Sequence, residues 1–165
     1  MLAPLILMLA NPAAAGELRQ PLLQLLNAYE SGATQAELRA LGDGVPAELM
    51  EIAADSAIPH SRRGRAVSAL ASYPTPVVRR FLEGQLSAKD LFLRRKASVA
   101  LIHGFQDAAL PTVQPALDDP DVQLRLATVR ALHSLGSDKA LALLDARRQV
   151  ETDPTVKSAL TEALR

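Results

Sequence analysis

The chain has 165 residues, of which 48% are apolar and only 3% aromatic, with no cysteine and with 18 basic against 18 acidic side chains. The lack of cysteine excludes disulfides, thiol catalysis and thiolate metal sites. Because the net charge is zero, the chain as a whole is not attracted electrostatically to nucleic acid or acidic membranes. The apolar residues are mostly Leu, Ala and Val, a composition that suits packed helices better than sheets.

The first fifteen residues, MLAPLILMLANPAAA, carry no charged side chain. The apolar run 2–10 is too short to span a bilayer of roughly 30 Å. Ala13 and Ala15 fit the small-residue pattern before a signal cleavage ahead of Gly16, although the usual basic residues are missing. We expect residues 1–15 to be a signal peptide of a bacterial protein that is periplasmic or secreted. The alternative is a frayed or core-packed apolar N-terminus of a cytoplasmic protein.

From residue 16 onward, almost every segment has the apolar periodicity of a helix. Residues 16–32 predict an N-terminal capping helix. Thr34 with Glu37 predicts a capping box that opens a short helix ending at Leu41, and Pro46 suits the first position of the next helix. Further helices are predicted over 62–70, 76–86, 91–103, 110–117, 122–135, 140–150 and 155–164. No stretch alternates with period two for long enough to predict a strand.

An Ala-Leu pair ends every second helix at an almost constant spacing. The pairs are Ala40-Leu41, Ala69-Leu70, Ala100-Leu101, Ala131-Leu132 and Ala163-Leu164, separated by 29, 31, 31 and 32 residues. A period near 31 with two helices per unit predicts an all-α superhelix, a stacked helical solenoid in one domain over 16–165. The predicted repeats are 33–55, 56–86, 87–117, 118–150 and a partial repeat 151–165. Small Ala lets neighbouring backbones approach, and Leu fills the groove beside it.

The segment LRRKASVAL, residues 93–101, and its equivalents LRLATVRAL at 124–132 and RRGRAVSAL at 62–70 resemble the first helix of HEAT repeats, in particular the short repeats of the phycobilisome-lyase type. The resemblance covers 56–165 well and 33–55 loosely. It implies a ladder of Asp–Arg contacts between stacked repeats. The residues in matching positions for that ladder are Arg63, Arg94, Arg125, Asp90 and Asp121.

No catalytic constellation is present in the sequence, and we predict no enzyme, cofactor or metal site. None of the three histidines is followed by Glu, and the pair His103 and His133 is better explained as solvated helix ends than as metal ligands. The segment GDGVPA imitates a dinucleotide-binding motif but follows a predicted helix, not a strand. HEAT-like DNA glycosylases need a basic groove with aromatic residues, and the five aromatic residues here are isolated, so nucleic-acid binding is not expected.

Charge is distributed unevenly along the chain. Residues 16–60 carry a net charge of −5, residues 61–96 carry +7, and residues 97–165 carry −2. The basic block predicts a cationic surface for an acidic partner; the alternative is a solvated face plus ladder arginines. The predicted partner-binding residues are Arg62, Arg65, Arg79, Arg80, Arg95 and Lys96. Arg79 and Arg80 are the most suggestive, because the repeat places Leu110 and Pro111 at their equivalent positions.

These observations predict a non-enzymatic protein–protein interaction scaffold without a membrane span. By the HEAT resemblance, the second helices line the concave face, and we expect an acidic protein or peptide to bind there. One alternative is a lyase-like or chaperone-like protein that handles a chromophore or small ligand. Another is a piece of a longer HEAT array.

Overall fold

The computed structural model describes residues 12–27 and 34–165, and these residues form helices and turns without a strand. The α-helices are α1 (Pro12–Leu25), α2 (Gln35–Ala40), α3 (Val45–Ala54), α4 (His60–Ala69), α5 (Pro76–Gln85), α6 (Leu91–Phe105), α7 (Leu110–Val113), α8 (Val122–Leu135), α9 (Asp138–Val150) and α10 (Pro154–Ala163). Most of the expected signal peptide, residues 1–11, lies outside the described residues. Ala13, Ala15 and Gly16 fall in the first turns of α1.

Side chains at the helix starts satisfy backbone N–H groups that have no partner within the helix. The predicted capping box at α2 is confirmed: Thr34 Oγ1 accepts from Glu37 N–H at 3.2 Å, and Glu37 Oε2 accepts from Thr34 N–H at 2.8 Å. Asp90, Asp121 and Asp153 cap α6, α8 and α10 at equivalent positions. The start of each of these helices is therefore encoded locally, once per repeat.

The helices from α4 onward form two layers. In the first layer α4 packs on α6, α6 on α8, and α8 on α10. The second layer contains α5, which packs on α6, the segment 106–117, which packs on α6 and α8, and α9, which packs on α8 and α10. At the N-terminal end, α3 packs against α1 and α4. The fold is an all-α helical repeat solenoid, as the periodicity predicts.

The second helix predicted for the third repeat, over 110–117, is not a continuous helix. It is the four-residue helix α7 between two 3₁₀ turns, Gln106–Ala109 and Gln114–Leu117. Pro115 explains the interruption, because proline has no N–H to donate and its ring clashes with the preceding turn, whereas Pro111 lies in the first turn of α7, where proline is tolerated.

Alanine lines the contacts between first-layer helices. Ala97 is fully buried, and Ala100 and Ala131 are 2% and 4% exposed. Beside them, the hydroxyl oxygens of Ser98 in α6 and Thr128 in α8 lie 2.9 Å apart and are fully buried. This inter-repeat hydrogen bond satisfies two polar groups that would otherwise cost free energy in the core. No helix in the described part of the chain is long and apolar enough to cross a membrane.

Candidate functional site

The arginines predicted for the ladder all contact the loops between repeats. Arg63 Nε donates to the carbonyl oxygen of Ala53 at 2.9 Å, and its Nη1 lies 4.0 Å from Asp90 Oδ2. Arg94 Nη2 lies 3.6 Å from Asp119 Oδ1 rather than beside the ladder residue Asp121. Asp121 instead accepts from the N–H of Gln123 as the cap of α8.

Arg125, the third of these arginines, is part of a buried ionic cluster centred on Glu151. Arg125 Nε and Nη2 donate to the two carboxylate oxygens of Glu151 at 3.0 and 3.1 Å. Arg147 Nε and Nη2 donate to Glu151 Oε2 at 3.0 and 2.8 Å, and its Nη1 donates to Asp118. The backbone N–H groups of Thr152 and Asp153 each donate to Glu151 Oε1 at 2.9 Å.

The environment of Glu151 holds it in the ionised form. Glu151 is 2% exposed, and burial raises the pKa of its carboxyl. The hydrogen bonds from Arg125, the Asp153 N–H, Arg147 and the Thr152 N–H outweigh burial and lower the pKa to about 2. All these partners join α8, α9 and the start of α10 to one another, which is a structural function.

Two residues of the predicted partner-binding set contact the end of α1. Arg62 Nε donates to Asn27 Oδ1, and Arg65 Nη1 donates to the carbonyl oxygen of Leu26 at 2.6 Å. Because the last carbonyls of a helix lack partners within the helix, these arginines stabilise the junction between α1 and α4. The structure gives both of them a role within the fold.

Arg79 and Arg80, on α5 of the second layer, differ in their surroundings. Arg79 Nε donates to Glu83 Oε1 at 2.8 Å, and its Nη2 donates to the carbonyl oxygen of Ala108 at 2.9 Å. Its guanidinium also lies 5.8 Å from the centroid of the Phe105 ring. Arg79 therefore connects α5 to the next repeat, whereas Arg80 is exposed.

Arg95 and Lys96 line a groove between α6 and α8, two neighbouring helices of the first layer, with a volume of about 240 Å³. Arg130 of α8, which is not among the predicted partner-binding residues, completes its charged lining. The apolar lining consists of Phe92, Val99, Leu126 and Ala127. Among the described residues, none of Arg95, Lys96 and Arg130 forms an ion pair; Arg95 donates to the carbonyl oxygen of Leu91 at 3.3 Å. We call this site the α6–α8 groove.

Phe92 is held in place at one end of the α6–α8 groove. A Cβ atom on Gly64 of α4 would lie 2.2 Å from the Phe92 ring, so only glycine leaves room there. The ring centroids of His60 and Phe92 are 4.6 Å apart, and Lys96 Nζ lies 5.6 Å from the Phe92 centroid. The wall of the groove is therefore part of the contact between α4 and α6.

His60 also contacts the cap of α6, at 2.6 Å between its Nε2 and Asp90 Oδ2. Burial raises the pKa of Asp90, but hydrogen bonds from the Leu93 N–H, His60 and the Phe92 N–H outweigh it, and the pKa lies below its usual value. Asp90 thus remains a charged cap at neutral pH, and it helps to fix the end of α6 that carries Phe92.

A second groove lies between α8 and α10, and has a volume of about 340 Å³. Its ionisable lining consists of Arg130 and His133 of α8 and Glu162 of α10, and Thr155 and Ser158 add hydroxyl groups. No cluster of three or more His, Asp or Glu side chains that could hold a metal ion occurs within residues 12–27 and 34–165. Both grooves place charged side chains beside apolar ones.

Residues 93–165, from the first turn of α6 onward, match the family model for HEAT repeats and include the residues that line both grooves apart from Phe92. No curated protein matches the chain. HEAT repeats generally mediate protein–protein interaction, and the match supports that general function for this protein.

Proposed function

We propose that the protein is a non-enzymatic interaction scaffold that binds an acidic protein or peptide segment in the α6–α8 groove. The observation that supports this proposal is the convergence of Arg95, Lys96 and Arg130 around apolar side chains, without a carboxylate partner among the described residues. Such cations are available for charge-assisted hydrogen bonds to carboxylates, and Arg can make two at once. The apolar lining would take an aliphatic or aromatic side chain beside the acid.

The concave face with Arg79 and Arg80 was the surface expected from the sequence. The contacts of Arg79 with Glu83 and the Ala108 carbonyl favour a structural role there. Arg80 is exposed, and it serves below as the comparison for the α6–α8 groove. The narrower resemblance to phycobilisome-lyase repeats and the periplasmic or secreted location remain predictions.

The test measures fluorescence anisotropy of a fluorescein-labelled peptide of alternating Glu and Leu, with a Lys–Leu peptide as its counterpart. Wild-type protein should bind the Glu–Leu peptide, and binding should weaken as added salt shortens the screening length from about 30 Å at 0.01 M to about 3 Å at 1 M. The double variant Arg95→Glu with Lys96→Glu should bind at least about tenfold more weakly. One hydrogen bond to a charged group contributes about 1.5–3 kcal/mol, and about 1.4 kcal/mol is tenfold in affinity.

The matched control is Arg80→Glu with Lys89→Glu, which changes net charge equally at two exposed residues outside the groove. It should bind almost as well as the wild type. A wild-type protein that binds the Lys–Leu peptide equally well would refute the proposal. An equal loss in both double variants would refute the assignment to the α6–α8 groove.

A further inference from the structure

The α6–α8 groove and the groove between α8 and α10 are formed by equivalent surfaces of successive repeats. Val99, Arg130 and Glu162 are equivalent residues of α6, α8 and α10, separated by 31 and 32 residues. Arg130 lines both grooves, because it lies on the surface of α8 between them. The structural repeat does not require charge at this position, since Val99 occupies it in α6.

The charge differs between these two grooves. The α6–α8 groove contains three cations, whereas the α8–α10 groove adds an acid, Glu162. Glu162 and Arg130 are both exposed, and in the part of the chain that the structure describes neither forms an ion pair, although they line the same groove. A ligand that is negative throughout would therefore be attracted by the first groove and repelled by Glu162 in the second.

We infer that the partner is a protein segment in extended conformation that crosses α8 and carries an acidic residue and a basic residue about three positions apart. The acid lies in the α6–α8 groove with a neighbouring apolar side chain, and the base pairs with Glu162 in the α8–α10 groove. This inference rests on the proposed function and specifies the charge order of its ligand.

The spacing follows from the geometry of the first layer. Packed helices have axes 8–10 Å apart, so grooves on either side of α8 are separated by roughly that distance. An extended chain in the polyproline II conformation advances about 3.1 Å per residue and completes one turn every three residues. Side chains three positions apart therefore lie on the same side of the chain, about 9 Å apart, and can enter the two grooves. Two distinct grooves separated by α8 fit side chains three positions apart on such a segment better than the continuous face of a helix about 10 Å wide.

Nucleic acid is the other polyanion that the cations could attract. It fits less well, because a phosphate backbone carries negative charge at every step and would place some of it beside Glu162. A single-stranded oligonucleotide is therefore included as a competitor in the test.

The experiment uses fluorescein-labelled peptides that carry one Glu-Leu pair and one Lys, with the Lys three positions before or three positions after the Glu. The comparison peptide has Gln in place of the Lys. For one of the two orders, wild-type protein should bind the Lys peptide up to about fivefold more tightly than the Gln peptide, as expected for an exposed ion pair. Glu162→Lys should reverse this preference, so that a peptide with Glu instead of Lys binds most tightly. Glu51→Lys, at an exposed acid of α3 outside both grooves, should leave the preference unchanged.

The outcomes separate the two proposals. In one outcome, the acidic peptides bind and Arg95→Glu with Lys96→Glu abolishes binding, but Glu162→Lys changes the preference for Lys over Gln in neither order. The inference of an extended bipolar ligand is then overturned, and the proposed function stands. If no acidic peptide binds the wild type, both are overturned. An oligonucleotide that displaces the peptides and binds more tightly than all of them would also overturn the inference.

Discussion

Replacing Glu151 with Gln should destabilise the protein by removing the charge that compensates Arg125 and Arg147. The amide of Gln can still accept from the N–H groups of Thr152 and Asp153. It leaves Arg125, whose side chain is 10% exposed, without a carboxylate, and Arg147, whose side chain is 14% exposed, with only the exposed Asp118. Breaking a buried ion pair by removing one partner typically costs about 3–5 kcal/mol. The pKa of Glu151 gives a second measure of this effect.

The carboxyl of Glu151 has an ordinary pKa of 4.5 and a folded-state pKa of about 2. At 1.36 kcal/mol per pKa unit, this difference corresponds to on the order of 3 kcal/mol. Because the folded-state pKa is the lower one, the contribution is fully present above pH 4.5 and is lost as the pH falls toward 2. The difference in stability between wild type and Glu151→Gln should therefore be large at pH 7 and smaller at pH 3.

Urea unfolding followed by circular dichroism at both pH values measures this difference. The control is Asp145→Asn, which removes an ion pair with Arg148 whose side chains are 54% and 45% exposed. Its cost should be about 0–1 kcal/mol. Equal urea midpoints for wild type and Glu151→Gln at pH 7, or the same difference at pH 7 and pH 3, would show that the cluster does not act as described.

Three further predictions test the packing and the N-terminus. Gly104→Ala should destabilise the protein by about 1–3 kcal/mol, because the added Cβ would lie 2.8 Å from the backbone oxygen of Ala71. Gly84→Ala, where an added Cβ has no atom within 4 Å, should stabilise the protein by up to about 1 kcal/mol. Urea midpoints of the two variants that shift in the same direction would contradict the close approach at Gly104. Ala100→Leu should cost about 1–3 kcal/mol by overpacking a site that is 2% exposed, and an unchanged midpoint would argue against the repeat register. Expression with the native leader in a Gram-negative host should yield a mature N-terminus at Gly16, and a soluble cytoplasmic chain that keeps its first residue would contradict the signal peptide.

The sequence by itself determined the repeat register, the helix starts and the alanine contacts. These features depend on spacing and on side chains that act on their own or the adjacent turn, such as the caps Asp90 and Asp121. The interruption at 110–117 could also have been anticipated, because Pro115 lies in the interior of the predicted helix. Arg147 and Glu151 are four residues apart at the end of the predicted helix 140–150, a spacing that favours an ion pair.

Only the tertiary structure decided which cations are engaged and which are available. Arg65, Arg79 and Arg95 belong to the same basic block, yet the first contacts the end of α1, the second joins two repeats, and the third lines the α6–α8 groove with Arg130 of the next repeat. An arginine side chain is long and flexible, so the carbonyl or carboxylate that it reaches depends on how neighbouring repeats are stacked. Local periodicity specifies which residues lie on a helix face, but the distance between side chains of different repeats is set by the packing of whole helices.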